Sequence, residues 1–175
     1  MVKKPYIYVD DMDTPAGMIT IACHPEGVCN IEFGDLETTY PKIQTWAKKN
    51  MIYNEIKKDS DYTREAACQL AEYFAGERKS FDLPLYLKGT PFQIKVWQAL
   101  QDIGYGETKT YKDIAEAIGN PKAVRAVGGA NNKNPISIVI PCHRVIGSSG
   151  CLIGYGGGLD KKQILLEHEQ RYLNN

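Results

Sequence analysis

Hydrophobic and polar residues alternate in the first part of the chain, and farther on apolar residues recur at helical spacing. Three short apolar runs, separated by turns rich in proline and glycine, predict an antiparallel meander of strands. Two later segments with a helical period predict helices that cover this sheet. The first opens at Pro41, and the second ends before Gly76 and carries Cys68 on its apolar side. The predicted strands are residues 6–9, 17–22 and 27–33, and the predicted helices are residues 40–50 and 61–75.

Helix-start signals recur in the second half of the chain. Thr90-Pro91-Phe92-Gln93 combines an N-cap, a proline in the first turn and a glutamine at the third position. Thr110 repeats the capping pattern, and Asn120-Pro121 then starts another helix after a tight turn. The helix that begins at Thr110 and the helix that begins at Asn120-Pro121 together resemble a helix-turn-helix, although many helical hairpins never contact nucleic acid. The predicted helices are residues 91–103, 111–118, 122–127 and 160–172.

A run of mostly β-branched residues at 136–140 leads into Pro141-Cys142-His143-Arg144. The run predicts a buried strand that stops at Pro141, since proline has no N–H to donate. A free cysteine has a pKa of about 8.5 and reacts as the thiolate, so His143 and Arg144 are candidates to lower the pKa of Cys142. Neighbouring side chains on a strand point to opposite faces, so a contact between Cys142 and His143 requires a turn at Pro141 or a bridging water.

The second helix of the helix-turn-helix has an unusual surface, because its residues are small and Arg125 is the one large cation. Small residues permit close approach to a narrow or deformed groove of DNA, and a lone arginine could fill space between bases. They equally permit tight packing on a neighbouring helix, with Arg125 in solvent. The sequence supports both interpretations. The small residues are Ala123, Ala126, Gly128, Gly129 and Ala130.

Composition narrows the class of protein. With 43% hydrophobic residues and no run of eighteen apolar residues, the chain is expected to be globular and cytoplasmic, without a membrane span or a signal peptide. Five irregularly spaced cysteines argue for reduced thiols. Residues 1–87 hold 10 basic and 14 acidic side chains, and residues 88–175 hold 11 and 7. This asymmetry is typical of a chain that binds nucleic acid through its second half, although chance explains it as well.

Three further features leave alternatives open. Cys23, His24 and Cys29 suggest a metal site, but a closed zinc site needs four ligands, so buried strand cysteines are the preferred interpretation. Residues 147–158 contain six glycines and are typical of a pocket lip, since the Lys-Ser/Thr ending of a phosphate loop is absent. Glu169 is either a solvated acid or a buried carboxylate that orients a histidine.

Several motifs together resemble the O6-alkylguanine-DNA alkyltransferase family, over about the last ninety residues. The N-terminal half resembles the family's partner domain, a ribonuclease-H-like sheet with helices, by general pattern. The resemblance implies an α/β (α+β) fold with a first domain at residues 1–87 and a DNA-binding, alkyl-transferring domain at residues 88–175. The motifs are Asn120-Pro121-Lys122-Ala123-Val124-Arg125-Ala126-Val127-Gly128, Asn134-Pro135, Ile140-Pro141-Cys142-His143-Arg144-Val145-Ile146, Gly154-Tyr155 and Gly157-Gly158-Leu159.

The resemblance also implies an activity, that of a methylated-DNA-[protein]-cysteine S-methyltransferase. Cys142 would take the alkyl group from O6 of guanine in duplex DNA and keep it, so that each protein acts once. The nucleotide would be flipped out through the minor groove. Activity on O4-alkylthymine stays open. No cofactor and no metal are expected, and the protein would act as a monomer that could load cooperatively on DNA.

The roles of individual residues are likewise carried over from the resemblance. His143 would act through a water on the thiol of Cys142, and Glu169 would orient that histidine. Tyr111 would donate a hydrogen bond to the departing guanine, and Asn134 would hold the backbone of the site. Arg125 would occupy the space of the flipped nucleotide. The minor groove would contact Ala123, Val124, Ala126 and Gly128, phosphates would contact Lys122, Lys112 and Lys133, and the base pocket would be lined by Tyr155, Gly156, Gly157 and Val145.

Two residues depart from the pattern, and two other functions compete. Gly156 replaces a common Ser or Ala in the base pocket, and Val124 replaces a common Ala on the groove-facing helix. A non-reactive binder of alkylated DNA would lack the cysteine, which is present. A cysteine hydrolase that uses Cys142 and His143 would need an oxyanion hole, which the sequence does not identify. The first hypothesis, active alkyl transfer, predicts an accessible Cys142 with a low pKa.

Overall fold

The computed structural model describes residues 6–50 and 55–175. The chain divides into two compact units, Met1–Lys88 and Gly89–Asn175. In the described ranges, every helix is too short or too polar to cross a membrane. The two units match the predicted fold class, a small sheet with helices followed by a mostly helical domain.

A four-stranded sheet forms the centre of the first unit. Its strands are β1 (Ile7–Met12), β2 (Ile19–His24), β3 (Gly27–Phe33) and β4 (Ile56–Lys58), and they lie in the order β3-β2-β1-β4. The predicted antiparallel meander of β1, β2 and β3 is confirmed. The fourth strand was not predicted; it pairs in parallel with β1, and it is too short for an alternating pattern to reveal it.

Two helices complete the first unit, α1 (Leu36–Lys49) and α2 (Ser60–Phe74). The predicted start of α1 at Pro41 is wrong, because Asp35 caps the helix one turn earlier and accepts a hydrogen bond from the backbone N–H of Thr38 at 2.8 Å. Pro41 therefore lies inside the helix, where it removes a single backbone hydrogen bond.

Two predictions about the cysteines of the first unit have opposite outcomes. Cys68 was expected in the core, but it is exposed, since it lies two residues, or about 200° of helix rotation, from the buried Ala66 and Leu70. Cys23 and Cys29 are buried in β2 and β3, as predicted. Within residues 6–50 and 55–175, no three His, Cys, Asp or Glu side chains are grouped so that they could hold a metal ion.

The second unit begins with two helices whose caps were read correctly from the sequence. Thr90 with Gln93 and Thr110 with Asp113 each form a complete capping box. Residues 109–110 and 145–146 form a short parallel pairing of two strands. The elements are α3 (Pro91–Leu100), β5 (Lys109–Thr110), α4 (Tyr111–Ala117), α5 (Val124–Asn132), β6 (Val145–Ile146) and α6 (Leu159–Arg171).

The pair α4 and α5 has the predicted helix-turn-helix form, but α5 is shifted along the chain. It was expected at residues 122–127, whereas Asn120–Ala123 form a turn and the helix continues to Asn132. Trp97 on α3 fixes the far end of α5, because its indole N–H donates to the carbonyl of Ala130 at 2.9 Å. This buried bond holds α5 against the domain core while one of its faces stays exposed.

The predicted strand at 136–140 is wrong: these residues form a turn. The amide of Asn134 closes the turn, since its Oδ1 accepts from the N–H of Ile136 at 3.0 Å and its Nδ2 donates to the carbonyl of Ile140 at 2.8 Å. Ile138 takes a positive φ of 73°. Ile136, Ile138 and Ile140 are all buried, so the β-branched run indicated burial rather than an extended backbone.

Candidate active site

Cys142 opens a 3₁₀ turn, Cys142–Arg144, directly after the turn held by Asn134. Its side chain is buried, with the residue 3% exposed, and the Nδ2 of Asn134 donates to its Sγ at 3.0 Å. Burial raises the pKa of the thiol to about 11, although Asn134 and the charge of Lys162 act in the opposite direction. The expectation of an accessible cysteine with a low pKa is therefore wrong for this structure. The thiol is protonated at neutral pH.

His143 and Glu169 form a fully buried pair next to the cysteine in sequence. Nε2 of His143 lies 2.6 Å from Oε2 of Glu169, whereas Nδ1 of His143 has no hydrogen-bond partner among the residues that the structure describes. Burial lowers the pKa of His143. The carboxylate of Glu169 acts to raise this pKa but does not bring it back to its ordinary value, so the neutral imidazole is favoured. A neutral ring with its proton on Nε2 leaves Nδ1 able to accept a proton.

Arg144 is directed at the same carboxylate rather than at the thiol. Its Nε donates to Oε1 of Glu169 at 2.8 Å, its Nη2 donates to Oε2 at 3.1 Å, and its Nη1 donates to the carbonyl of Ile103 at 2.6 Å. Burial alone would raise the pKa of Glu169, but His143 and Arg144 hold it well below its usual range. Glu169 is thus the buried, ionised form of the two alternatives that the sequence left open.

Lys162 is a functional candidate that the sequence analysis missed. It is fully buried on α6, where its Nζ donates to the carbonyl of Val145 and, at 2.9 Å, to that of Ile153. Burial lowers the pKa of Lys162 to about 8, while the nearby Cys142 acts to raise it. Helical spacing could have found this residue, since Lys162, Leu165 and Glu169 repeat every three or four positions and share the buried face of α6.

Replacing Lys162 by methionine should slow the reaction of Cys142 as a nucleophile by about tenfold, because the thiolate loses a nearby positive charge. The same change leaves two buried carbonyls without a donor, so the free energy of unfolding should fall by about 1–3 kcal/mol. Single-turnover kinetics and urea unfolding measure the two effects. Lys95→Met, on the exposed side of α3, is the matched control. Unchanged rate and stability in Lys162→Met would show that the ammonium group has no part in the site.

The loop at residues 147–158 closes over the site. The hydroxyl of Tyr111 donates to the carbonyl of Ile153 at 2.7 Å and lies 3.2 Å from that of Gly154. A Cβ on Gly156 would lie 2.9 Å from the backbone oxygen of Asn132, so the absence of a side chain lets the loop rest on the end of α5. Tyr155, which belongs to the loop, is buried, Val145 is buried as well, and Gly157 is partly covered. In this state the proton of Tyr111 is held by the loop.

The helix α5 has a packed face and an exposed face, and its small residues are divided between them. Val127, Ala130 and Asn131 form the packed face. Val124, Arg125, Ala126 and Gly129 are exposed instead, so two of the five small residues, Ala126 and Gly129, lie open to solvent beside Arg125. Gly128 differs from expectation, since a Cβ there would lie 3.8 Å from the ring of Tyr111 and the residue is directed at the site. Ala123 is half-buried, and exposed lysines are found at Lys112, Lys122 and Lys133.

Comparison with known families identifies the architecture around this thiol. Residues 7–87 match the family description "6-O-methylguanine DNA methyltransferase, ribonuclease-like domain", and residues 91–171 match "6-O-methylguanine DNA methyltransferase, DNA binding domain". The chain belongs to the 6-O-methylguanine DNA methyltransferase family. The resemblance stated from the sequence is therefore confirmed.

Relatives from three organisms are similar over nearly the whole chain. A methylated-DNA--protein-cysteine methyltransferase of Methanosarcina acetivorans is 47% identical over 93% of this chain and 98% of its own length. A constitutive one of Bacillus subtilis is 44% identical over 94% of this chain and 95% of its length. The crystal structure of Mycobacterium tuberculosis OGT in complex with DNA superimposes with a TM-score of 0.80, at 42% identity, over 94% of both chains.

These matches confirm three predictions made from the sequence. The fold class, a ribonuclease-like domain followed by a DNA-binding domain, is that of the 6-O-methylguanine DNA methyltransferase family. The enzyme class is that of the methylated-DNA--protein-cysteine methyltransferases, and a role in DNA repair with DNA as the partner follows from it. The substrate atom, the route of the base and the roles of single residues go beyond these matches.

Proposed function

We propose that the protein transfers the alkyl group of O6-alkylguanine in duplex DNA to Sγ of its own Cys142, irreversibly and once per molecule. The observation that carries the proposal is a buried thiol bonded to Asn134 and followed by the buried pair of His143 and Glu169. In the step, an S–C bond forms while the O6–C bond breaks, and guanine leaves with the electron pair of that bond. The alkyl thioether has no route back, so each molecule acts once.

The proton of the thiol needs an acceptor, and His143 is that acceptor. Its Nδ1 is buried and has no partner within the described residues, whereas its Nε2 is committed to Glu169. A water between Sγ of Cys142 and Nδ1 of His143 would carry the proton, and the imidazolium that forms is stabilised by the carboxylate. This route explains how a thiol with a raised pKa reacts near neutral pH, because the thiol gives up its proton only when the alkylated guanine has entered the pocket.

Entry of the base requires the loop at 147–158 to open, because Cys142 is 3% exposed in the closed state. Opening would release the hydroxyl of Tyr111 from the carbonyl of Ile153. That hydroxyl would then donate to the guanine as negative charge develops on it, which favours departure of the base. Tyr155 and the backbone of Gly156 and Gly157 would line the pocket, with Val145 beneath.

The duplex would be bound through its minor groove by the exposed face of α5. Val124 and Ala126 are small enough to let the helix backbone approach a widened groove, and Arg125 is the one long side chain between them. Extruding a nucleotide costs a few kcal/mol of stacking and pairing, which Arg125 would partly offset by filling the vacated space. Lys122, Lys112 and Lys133 would contact phosphates, and such contacts carry no base sequence information.

Mass spectrometry tests the transfer directly. The protein is mixed with a duplex that contains one O6-methylguanine, and the intact mass and the modified peptide are determined. We expect one methyl group per protein on the peptide that holds Cys142, and none in Cys142→Ser. Cys151→Ser, which removes an exposed thiol nine residues away, is the matched control and should accept the methyl group normally. A duplex with O4-methylthymine tests the second substrate in the same way.

Two outcomes would contradict the proposal. If the duplex binds while the mass of the protein stays unchanged, the chain is a binder of alkylated DNA and the proton route through His143 is wrong. If the alkyl group is released into solution and the protein turns over, Cys142 acts as the nucleophile of a hydrolase. Activity on an acyl substrate would then be the next measurement.

A further inference from the structure

Glu169 accepts more hydrogen bonds than an orienting partner of a histidine needs. Oε2 receives Nε2 of His143 at 2.6 Å and Nη2 of Arg144 at 3.1 Å. Oε1 receives Nε of Arg144 at 2.8 Å and the backbone N–H of Gly106 at 3.2 Å. The guanidinium thus grips both oxygens of the carboxylate, and one of those oxygens is shared with the imidazole.

The third nitrogen of the Arg144 guanidinium, Nη1, ties this bidentate contact to the backbone. Nη1 donates to the carbonyl of Ile103 at 2.6 Å, and the guanidinium lies 5.7 Å from the ring centre of Tyr105. Because the guanidinium is planar and rigid, bonds on three of its nitrogens leave it a single orientation. The plane of the Glu169 carboxylate is then fixed as well. The direction of the hydrogen bond between Oε2 of Glu169 and Nε2 of His143 is fixed with it.

We propose that Arg144 is a positioning residue for the alkyl transfer: through Glu169 it keeps the proton of His143 on Nε2 and leaves Nδ1 free to accept the proton of the thiol. The inference rests on the proposed function, in which His143 is the base. Arg144 also shares the negative charge of Glu169, so that the carboxylate does not hold His143 as a resting imidazolium. A histidine already charged could accept no proton from Cys142.

The charges around His143 support this balance. Burial lowers the pKa of His143, Glu169 acts to raise it, and Arg144 and Lys162 act to lower it. The other titratable groups that interact with this cluster are Cys142, Tyr105 and Tyr155. Arg144 and Lys162 are the cations that act on His143, and Arg144 bonds directly to the carboxylate of Glu169. Removal of Arg144 therefore shifts the balance towards imidazolium.

The test compares Arg144→Met and Arg144→Lys with the intact protein in single-turnover methyl transfer from an O6-methylguanine duplex over a range of pH. In Arg144→Met, the acid limb of the rate profile should move up by about one pH unit, since the proton on His143 is lost less readily. The plateau rate should fall by about tenfold or more. Arg144→Lys keeps the positive charge but cannot donate to both oxygens of Glu169 at once. The acid limb of its rate profile should therefore stay in place, while its plateau rate falls.

A matched control separates positioning from stability. Arg78→Met removes another arginine whose Nε binds a carboxylate, that of Glu72 at 2.7 Å, in the first unit of the chain. It should leave the pH profile unchanged. If the Arg144→Met profile, normalised to active protein, superimposes on that of the intact protein, Arg144 only stabilises the fold and the inference fails.

The state of His143 can be tested without any variant. Nitrogen-15 NMR of the histidine ring in the intact protein should show protonated Nε2 and unprotonated Nδ1 near neutral pH. A proton on Nδ1 would overturn the inference even if Arg144→Met does not fold. The intact protein also separates this inference from the proposed function: an unmodified Cys142 after exposure to the duplex refutes alkyl transfer, whereas the NMR result concerns Arg144 and Glu169.

Discussion

Glu169→Gln should be the most damaging single change outside the thiol itself. The glutamine keeps the shape of the side chain but removes the charge that both His143 and Arg144 face at 2.6–3.1 Å. Arg144 would be left buried without a counter-charge, so we expect the free energy of unfolding to fall by about 3–5 kcal/mol. We expect the rate of methyl transfer to fall about a hundredfold or more, because the imidazolium formed in the step loses its partner.

The comparison variant for this change is Glu167→Gln, which makes the same substitution two residues earlier on the exposed side of α6. Urea unfolding and single-turnover rates of the two variants should differ by the amounts given above. Equal stability and equal rates would mean that the carboxylate of Glu169 is dispensable, and the proposed proton route could not stand.

Glu169 also links stability to pH. Its pKa in the folded protein is far below the value of 4.5 expected in an unfolded chain. The stabilisation is therefore fully present above about pH 4.5 and is lost as the pH falls through that value towards the folded pKa. The Glu169→Gln variant lacks this component, so its stability should decrease less on acidification than that of the intact protein. Unfolding curves at neutral and acidic pH would show the difference.

Arg125→Ala should show the second large effect, and it should appear only when the substrate is a duplex. Arg125 is exposed on α5 beside Val124 and Ala126, where the proposed function has it fill the space of the extruded nucleotide. Losing a contribution of one to a few kcal/mol to extrusion should slow methyl transfer from the duplex by about ten- to a hundredfold. Free O6-benzylguanine needs no extrusion, so its reaction with Cys142 should keep the rate of the intact protein.

Arg171→Ala removes the same charge from an exposed position on α6 and is the control for a general electrostatic effect on DNA binding. It should affect both substrates little. If Arg125→Ala slows the free base as much as the duplex, then Arg125 acts on the chemistry or the fold, and its assigned role in extrusion is wrong.

Local signals in the sequence predicted part of this structure well, because some boundaries are fixed by adjacent residues. The capping boxes at Thr90 and Thr110 depend on groups three residues apart, and both helices begin where the sequence placed them. The start of α1 was misplaced at Pro41 because a proline is typical of a first helical turn, whereas the cap is Asp35, which accepts from the N–H of Thr38. The first residue of the helix, Leu36, also donates its N–H to Oδ2 of Asp11 at 2.7 Å, and this contact across 25 residues depends on the tertiary structure.

The candidate site was predictable in its residue types but not in its geometry. The Cys-His-Arg triplet and Glu169 were identified, whereas the turn that precedes the triplet was taken for a strand, since buried β-branched residues look alike in both. Lys162 was missed because a lysine is normally solvated, and its burial depends on carbonyls from two distant segments, at Val145 and Ile153. The partner of Arg144 was equally invisible, being 25 residues away.

The covered, protonated state of Cys142 affects how readily its thiol is lost to side reactions before the protein meets DNA. A protein that reacts once is lost if its nucleophile meets a peroxide or a dissolved electrophile first, and such reagents attack exposed thiolates. Cys68 and Cys151 are exposed, whereas the Cys142 thiol is 3% exposed with a pKa raised to about 11. Cys68 and Cys151 are therefore more accessible to such reagents than Cys142 is, and under the proposed function the loss of Cys142 before it meets DNA depends on how often the loop at 147–158 opens.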